Sequence, residues 1–176
     1  MSWHDELTKA MTRIAQIPDS IFIGQSVVYP GHLLFSTLEG VPLEKRLELP
    51  VFEDTQMGLS LGLWLAGYSP VVSLYPRQDF LVLATNQLLH LDKFYTMTGQ
   101  NPKVIIRSML GSIAPIYSGP QHSQDHSDAL KLLCPHITVL KITEPEHIYS
   151  AYQRALEEPG PFILIEAPPK RQGYDG

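Results

Sequence analysis

Residues 49–67 read Leu-Pro-Val-Phe-Glu-Asp-Thr-Gln-Met-Gly-Leu-Ser-Leu-Gly-Leu-Trp-Leu-Ala-Gly, and they place a carboxylate, Glu53, where an apolar helix begins. Pro50 biases Leu49 toward extended backbone, so the helix is expected to start just after it, with Glu53 and Asp54 in the first turn at the positive end of the helix dipole. Met57, Leu61, Trp64 and Leu65 recur at helical spacing, while Gly58, Gly62 and Ala66 form a second stripe without bulk. Each interior glycine costs about 1 kcal/mol against alanine, so the stripe implies close approach to another backbone. Two readings stay open on these residues alone. In the plainer one Glu53 only complements the dipole and the small stripe packs on a sheet; in the sharper one Glu53 is a buried acid at a subunit interface.

The chain around this stretch has 176 residues, enough for one domain with a substantial core. A hydrophobic fraction of 44% against 18% charged residues marks a globular protein. The formal charge of -5 has no basic counterweight, so nucleic acid is not an expected partner. Cys134 is the only cysteine and no intrachain disulfide can form. The N-terminus shows no basic head followed by an apolar run, and no apolar stretch is long enough for a bilayer. A cytoplasmic location with no membrane partner is the expectation.

Outward from residues 49–67, helical patterns alternate with short apolar strands. Residues 3–16 carry Leu7, Met11 and Ile14 at helical spacing and lead through a Pro18-Asp19 turn into a strand at Ile21-Phe22-Ile23. A helix is expected from about His32 to Leu38, and a short strand over Arg46 to Leu49. Further strands are expected at 71–74, 104–106, 137–140 and 162–165, with helices over 80–94, 128–133 and 145–156. In the helix at 80–94, Leu83, Gln87, Leu88 and Leu91 form one side. Residues 109–124 read as a long loop holding Gly111, Pro115, Gly119 and Pro120, and loops of that length in compact domains are usually functional. Residues 1–166 are expected to form the domain, followed by a polar tail over 167–176.

Strands apolar on both faces and separated by helices predict an α/β fold: a doubly wound, mainly parallel sheet with helices on both faces. Ligands on such sheets bind beyond the carboxyl ends of the strands. Glu53, the segment Tyr75 to Phe80 and the loop carrying His122 each follow a strand. A carboxylate, aromatic rings and imidazoles thus converge on one rim. A metal site from His122, Asp125 and His126 is conceivable by spacing but is not expected.

Several blocks together resemble the pyrimidine-binding domain of thiamine-diphosphate enzymes, in particular the N-terminal half of the β subunits of pyruvate and branched-chain 2-oxoacid dehydrogenases. Ile21-Phe-Ile-Gly-Gln-Ser-Val27 is similar to the family's strand ending in Gly-Glu-Asp-Val. Leu49-Pro-Val-Phe-Glu53, with Gly58, Gly62, Ala66, Gly67 and Pro70, resembles its Thr-Pro-Ile-x-Glu block and glycine-spaced helix. Asp79-Phe80, Asn86-Gln87, Tyr95 to Gly99, Pro102 to Arg107, Gln121-His-Ser-Gln124 and Pro161 to Glu166 follow in the family's order. The joint order over nearly the whole chain carries the resemblance, since no block is specific alone.

The resemblance implies thiamine diphosphate as cofactor, with Mg2+ held by a partner chain. It makes Glu53 the residue that hydrogen-bonds the aminopyrimidine ring and favours the tautomer that takes the thiazolium proton. A carboxyl in that role needs a raised pKa, for which burial is the physical route. Phe80 would lie near the pyrimidine face, with a core aromatic as the plainer reading. His122 would face the reacting carbon and handle protons or the substrate carboxylate, work that suits an imidazole. His126 either reaches the same rim or caps the following helix, and with Tyr75 it is a candidate for substrate contact or for supporting the site. Gln25, in the cofactor network, stands where many relatives have glutamate and so removes an acid.

The sequence has no Gly-Asp-Gly followed by Asn, the family's magnesium and diphosphate segment, and nothing resembling a further domain after Glu166. The resemblance therefore implies one part of a split enzyme, paired with an α-type subunit in an α2β2 assembly. Three functions fit: a subunit of a decarboxylating 2-oxoacid enzyme, a subunit of a split transketolase-type enzyme transferring a ketol unit, or a non-catalytic assembly subunit. Retention of Glu53, Phe80 and His122 together speaks against the last.

Overall fold

A computed structural model describes residues 2–111, 117 and 119–167. Six strands form one sheet in the order β2-β1-β3-β4-β6-β5, and every neighbouring pair runs parallel. They are β1 Ile21–Gly24, β2 Arg46–Glu48, β3 Val71–Tyr75, β4 Val104–Met109, β5 Thr138–Ile142 and β6 Phe162–Glu166. The helices are α1 Trp3–Ala15, α2 Leu33–Ser36, α3 Glu53–Leu65, α4 Gln78–Val82, α5 Thr85–Thr98, α6 Ser127–Leu133 and α7 Ile148–Glu157.

The continuous apolar character of the inner strands follows from two cores, one on each face. Val72, Leu74, Ile105, Phe162 and Leu164 point to the side covered by α1 and α7. Their neighbours Val71, Tyr75, Ile106, Ile163 and Ile165 point to the side covered by α3 and α5. Alternation along each strand thus sends successive side chains into different cores. The order in which strands are added reverses at β1 and β3: β2 pairs on the outer side of β1, and the chain then returns to lay β3 on the inner side. This reversal opens the crevice in which parallel sheets hold ligands.

Several boundaries differ from the sequence reading. The expected helix over 80–94 is two helices, because Leu83 and Ala84 bond back three residues, to Phe80 and Leu81, and the chain turns before α5 restarts. The turn leaves Leu83 64% exposed while Leu81, Ala84 and Leu88 are buried. The helix near His32 is shorter than expected, and β4 runs on to Met109, three residues into what had read as strand end and loop. Of the long loop, residues 112–116 and 118 lie outside the described residues, as does 168–176 of the expected tail. Ala167, the first residue of that tail, is buried and donates its N–H to the Ile142 carbonyl.

The small stripe of α3 does not face the sheet. Gln56, Met57 and Ser60 do, and all are buried. A Cβ on Gly58 would make ordinary contact with the Gln87 side chain, and one on Gly62 would meet nothing within 4 Å. Among the described residues, then, no backbone approaches Gly58 or Gly62 closely, and the flank at Gly62 is open.

An element absent from the sequence reading fixes the loop after β1. Glu48, the last residue of β2, accepts the backbone N–H groups of Ser26, Val27 and Val28, each at 2.7 Å. Ser26 holds φ 58°, uncommon for a residue with a side chain, and the carboxylate stabilises that turn. Glu48→Ala leaves these donors without their acceptor and should lower unfolding stability by about 2–3 kcal/mol. Chemical denaturation measures the loss, and hydrogen exchange at Ser26 to Val28 should quicken more than at β3.

Candidate functional site

Glu53 is the first residue of α3, and only 7% of its surface is exposed. The carboxylate Oε1 accepts a hydrogen bond from the Gln25 amide at 3.3 Å. Its Oε2 carries no hydrogen bond among the described residues. The backbone is held as well: the Tyr75 hydroxyl donates to the Glu53 carbonyl at 2.9 Å. Burial pushes the Tyr75 hydroxyl well above the usual tyrosine range, with the Glu53 and Asp54 carboxylates adding to it, so it stays a proton donor. Tyr75 is fully buried and holds the backbone of Glu53.

Gln25 follows β1 and Tyr75 ends β3, the pair at which the sheet reverses. Gly24 makes their approach possible: its φ is 142°, and a Cβ there would collide with the Leu74 carbonyl oxygen. Beside it the Gln56 amide donates to Ser73 Oγ at 3.1 Å and to the Leu74 carbonyl at 2.9 Å, tying α3 to the end of β3. The sequence offered no signal for Gln56 beyond its helical register.

A second group forms where α4 meets the loop after β4. The Phe80 and His122 rings stand edge to face, with centroids 5.2 Å apart and planes at 87°. Gly111 lets the His122 backbone close on the end of β4, since a Cβ there would overlap the His122 carbonyl. His126 places Nε2 3.5 Å from Asp79 Oδ1. Its backbone N–H is held by the Gln78 side-chain oxygen at 2.6 Å. It is also the residue preceding α6, and its side chain makes no capping hydrogen bond. Asp79, Phe80, Gln121, Gln124 and His126 line an open cavity of about 390 Å³. Asp79 Oδ2 is buried there without a partner among the described residues.

The structure thus brings Phe80, His122 and His126 together, and separately Glu53, Gln25 and Tyr75. No hydrogen bond or ring contact joins the two groups among the described residues. Asp125 is engaged elsewhere, by Ser127 and Lys141. Burial would raise its carboxyl, but Lys141 and Ser127 hold it down at about 2. Burial and Asp92 push the Cys134 thiol up to about 11, which leaves it unreactive. His32, silent in the sequence, meets Arg77 across the β1 and β3 ends.

The Glu53 carboxylate, at the N-terminus of a helix, is engaged on one oxygen only among the described residues, which leaves an edge that a hydrogen-bonding heterocycle fits. Among the described residues no helix is long and apolar enough to cross a membrane.

The β subunit of 3-methyl-2-oxobutanoate dehydrogenase from Mycobacterium tuberculosis (strain CDC 1551 / Oshkosh) is 24% identical over 195 aligned positions, covering 97% of this chain and 52% of the relative. The chain therefore spans about half the length of the curated relatives it matches. Among solved structures, a split-gene transketolase in an inactive β4 tetramer superposes with a TM-score of 0.68 at 15% identity, over 95% of this chain and 51% of that one. Transketolase from Leishmania mexicana gives a TM-score of 0.74 at 15% identity, over 93% of this chain and 25% of the other. These likenesses establish a shared fold. The family model described as the transketolase pyrimidine binding domain matches residues 1–171, and with that span the chain belongs to the family of transketolase-type pyrimidine-binding domains.

Proposed function

We propose that this chain is the pyrimidine-binding part of a thiamine-diphosphate enzyme that decarboxylates a 2-oxo acid and passes on the resulting acyl unit. The observation that carries the reading is Glu53: a buried acid at the start of α3, held on one oxygen by Gln25 and open on the other, at the carboxyl rim of the sheet. When bound, thiamine diphosphate supplies the electron sink for breaking a bond beside a carbonyl. What this chain contributes is position and proton management. Gln25 and Tyr75 fix the Glu53 carboxyl and its backbone, so its free oxygen can share a proton with the pyrimidine ring at little reorganisation cost. An amide at Gln25 hydrogen-bonds without ionising, so this network carries one carboxyl where relatives often have two. Phe80 offers an apolar surface, and the His122 imidazole stands edge to face beside it.

The preference for a 2-oxo acid over a ketose rests on the sequence relative, whose name specifies 3-methyl-2-oxobutanoate. The diphosphate and Mg2+ would be held by an α-type partner. A second contact between copies is supported by the open flank of α3, where Leu65 and Gly62 are exposed beside half-buried Leu63 and Trp64. An α2β2 complex satisfies both.

The test is reconstitution. Calorimetry should find no micromolar binding of thiamine diphosphate by this chain alone, because the diphosphate ligands lie elsewhere. Addition of a chain bearing the Gly-Asp-Gly to Asn segment should create binding and release of CO2 from 3-methyl-2-oxobutanoate or pyruvate. Micromolar binding by this chain alone, or ketol transfer without CO2 by the pair, would overturn the reading.

A further inference from the structure

Of the side chains that line the cavity beside Phe80, none is a lysine or an arginine. Asp79 is one of them. Its side chain is only 9% exposed, Oδ2 has no partner among the described residues, and Oδ1 lies 3.5 Å from His126 Nε2. No lysine or arginine forms an ion pair with Asp79 among those residues, and Arg77 acts on it only at longer range. A carboxylate buried to this extent calls for a donor, and the imidazole is the donor in reach, which puts the ring proton on Nε2. The same short segment holds His126 by its backbone: fully buried Gln78 accepts the His126 N–H at 2.6 Å and donates to Ser127 Oγ at 3.3 Å. Nδ1 of His126 is then left with a lone pair and no partner among the described residues. Gln124 adds a second acceptor, since its amide nitrogen is spent on the Pro120 carbonyl at 2.8 Å and its side-chain oxygen is not hydrogen-bonded among them.

We infer that Asp79 is a positioning residue and His126 the group it positions, with Nδ1 held as a hydrogen-bond acceptor for a ligand in the cavity. The lining sets the class of that ligand. Two acceptors, His126 Nδ1 and Gln124 Oε1, call for a donor head group, and the Asp79 carboxylate beside them disfavours an anion. Phe80, Val82 and Leu83 supply apolar contact for a short aliphatic body. The site therefore selects an aliphatic alcohol or alkylammonium, whose O–H or N–H donates to Nδ1. Assigning that head group to the substrate, or to the acceptor of the acyl unit, rests on the function proposed above; the binding itself does not.

The experiment uses the full chain, isotope-labelled, at constant ionic strength in a mildly alkaline buffer, where a free imidazole is neutral. Ring-nitrogen spectra of His126, assigned by their loss in His126→Phe, report the tautomer, and methyl spectra of Val82 and Leu83 report the cavity. Butanol, butylammonium chloride and sodium butyrate are titrated in separate arms. The expected result is an Nε2–H tautomer in the free chain and saturable movement of ring and methyl signals, with a millimolar Kd, for the alcohol or the ammonium. Butyrate should give none, and the tighter of the other two names the head group. Asp79→Asn should move the ring proton to Nδ1, as an asparagine does when it replaces the carboxylate of a catalytic triad. Binding should then weaken at least about tenfold, because two donors face each other. A merely structural role for Asp79 would leave the tautomer where it is. If Asp79→Asn fails to fold, His126→Phe supplies the comparison, since it keeps a ring, loses the acceptor and should lose binding to the same extent. An Nδ1–H tautomer in the parent, an unmoved tautomer in Asp79→Asn, no saturable response to either donor, butyrate binding as tightly as they do, or an unchanged Kd in the variants overturns the site. Because neither cofactor nor turnover enters, failure here and failure of the thiamine reading are separate results.

Discussion

Glu53→Gln in the reconstituted complex should abolish most decarboxylation while leaving the melting temperature of this chain unchanged. The expected loss is about 10² to 10⁴-fold in rate, roughly 3–5 kcal/mol in the barrier, as is usual when a positioned acid–base group is removed. The structure makes glutamine a discriminating replacement. Its side-chain oxygen can go on accepting from Gln25, and the Tyr75 bond goes to the Glu53 backbone, which the substitution leaves in place. Size, burial and neighbours survive; the ionisable proton alone is lost. Were Glu53 present only to complement the helix dipole, the variant would lose at most about 1 kcal/mol of stability and turn over normally. Steady-state CO2 release measured beside thermal unfolding separates the two. Activity within about threefold of the parent, about 0.7 kcal/mol or less in the barrier, removes the acid–base role from this residue.

That contrast was visible in residues 49–67 because local physics wrote it there: a proline stop, acids in a first turn and an apolar run behind them. The parallel sheet was legible for a similar reason, since strands apolar on both faces can only be buried on both. Other features are set by partners distant in sequence and leave no local trace. Glu48 reads as one more charge on a short edge strand until β1 and β2 pair and bring Ser26 to Val28 over it. Gln56 reads as a helical polar residue, and His32 and Arg77 are 45 positions apart. The split of the helix over 80–94 was missed because Leu83, Leu88 and Leu91 satisfy a helical period, whereas the tightened bonds at Leu83 and Ala84 obey the packing of Leu81 and Leu88. The glycine stripe was read correctly as lacking bulk, but among the described residues no backbone approaches Gly58 or Gly62.

The longest-range of these hidden partnerships is also where the largest stability effect is expected. Arg107 and Glu166 close the ends of β4 and β6, and neither has any exposed surface. Arg107 Nε donates to Glu166 Oε1 at 2.6 Å and Nη2 to Oε2 at 3.2 Å, a bidentate pair. Nη1 donates to Thr37 Oγ1 at 2.8 Å, just past α2, and the Tyr152 hydroxyl of α7 donates to Glu166 Oε1 at 2.7 Å. The network therefore fastens β4 and β6 to α7 and to the end of α2, the helix that His32 caps. Arg107→Met keeps the length of the side chain but strands the Glu166 carboxylate with Tyr152 as its remaining donor. Breaking a buried pair from one side should cost about 3–5 kcal/mol, because the remaining charge is uncompensated. For a chain of this size that corresponds to a fall of roughly 6–20 °C in Tm. Arg107→Met with Glu166→Met should recover much of the loss, since an apolar pair needs no compensation, and the double-mutant cycle should return a coupling of about 2 kcal/mol or more. A single variant that loses less than about 1 kcal/mol, or single losses that simply add, would show that the pair contributes no such coupling and that packing alone joins these four elements.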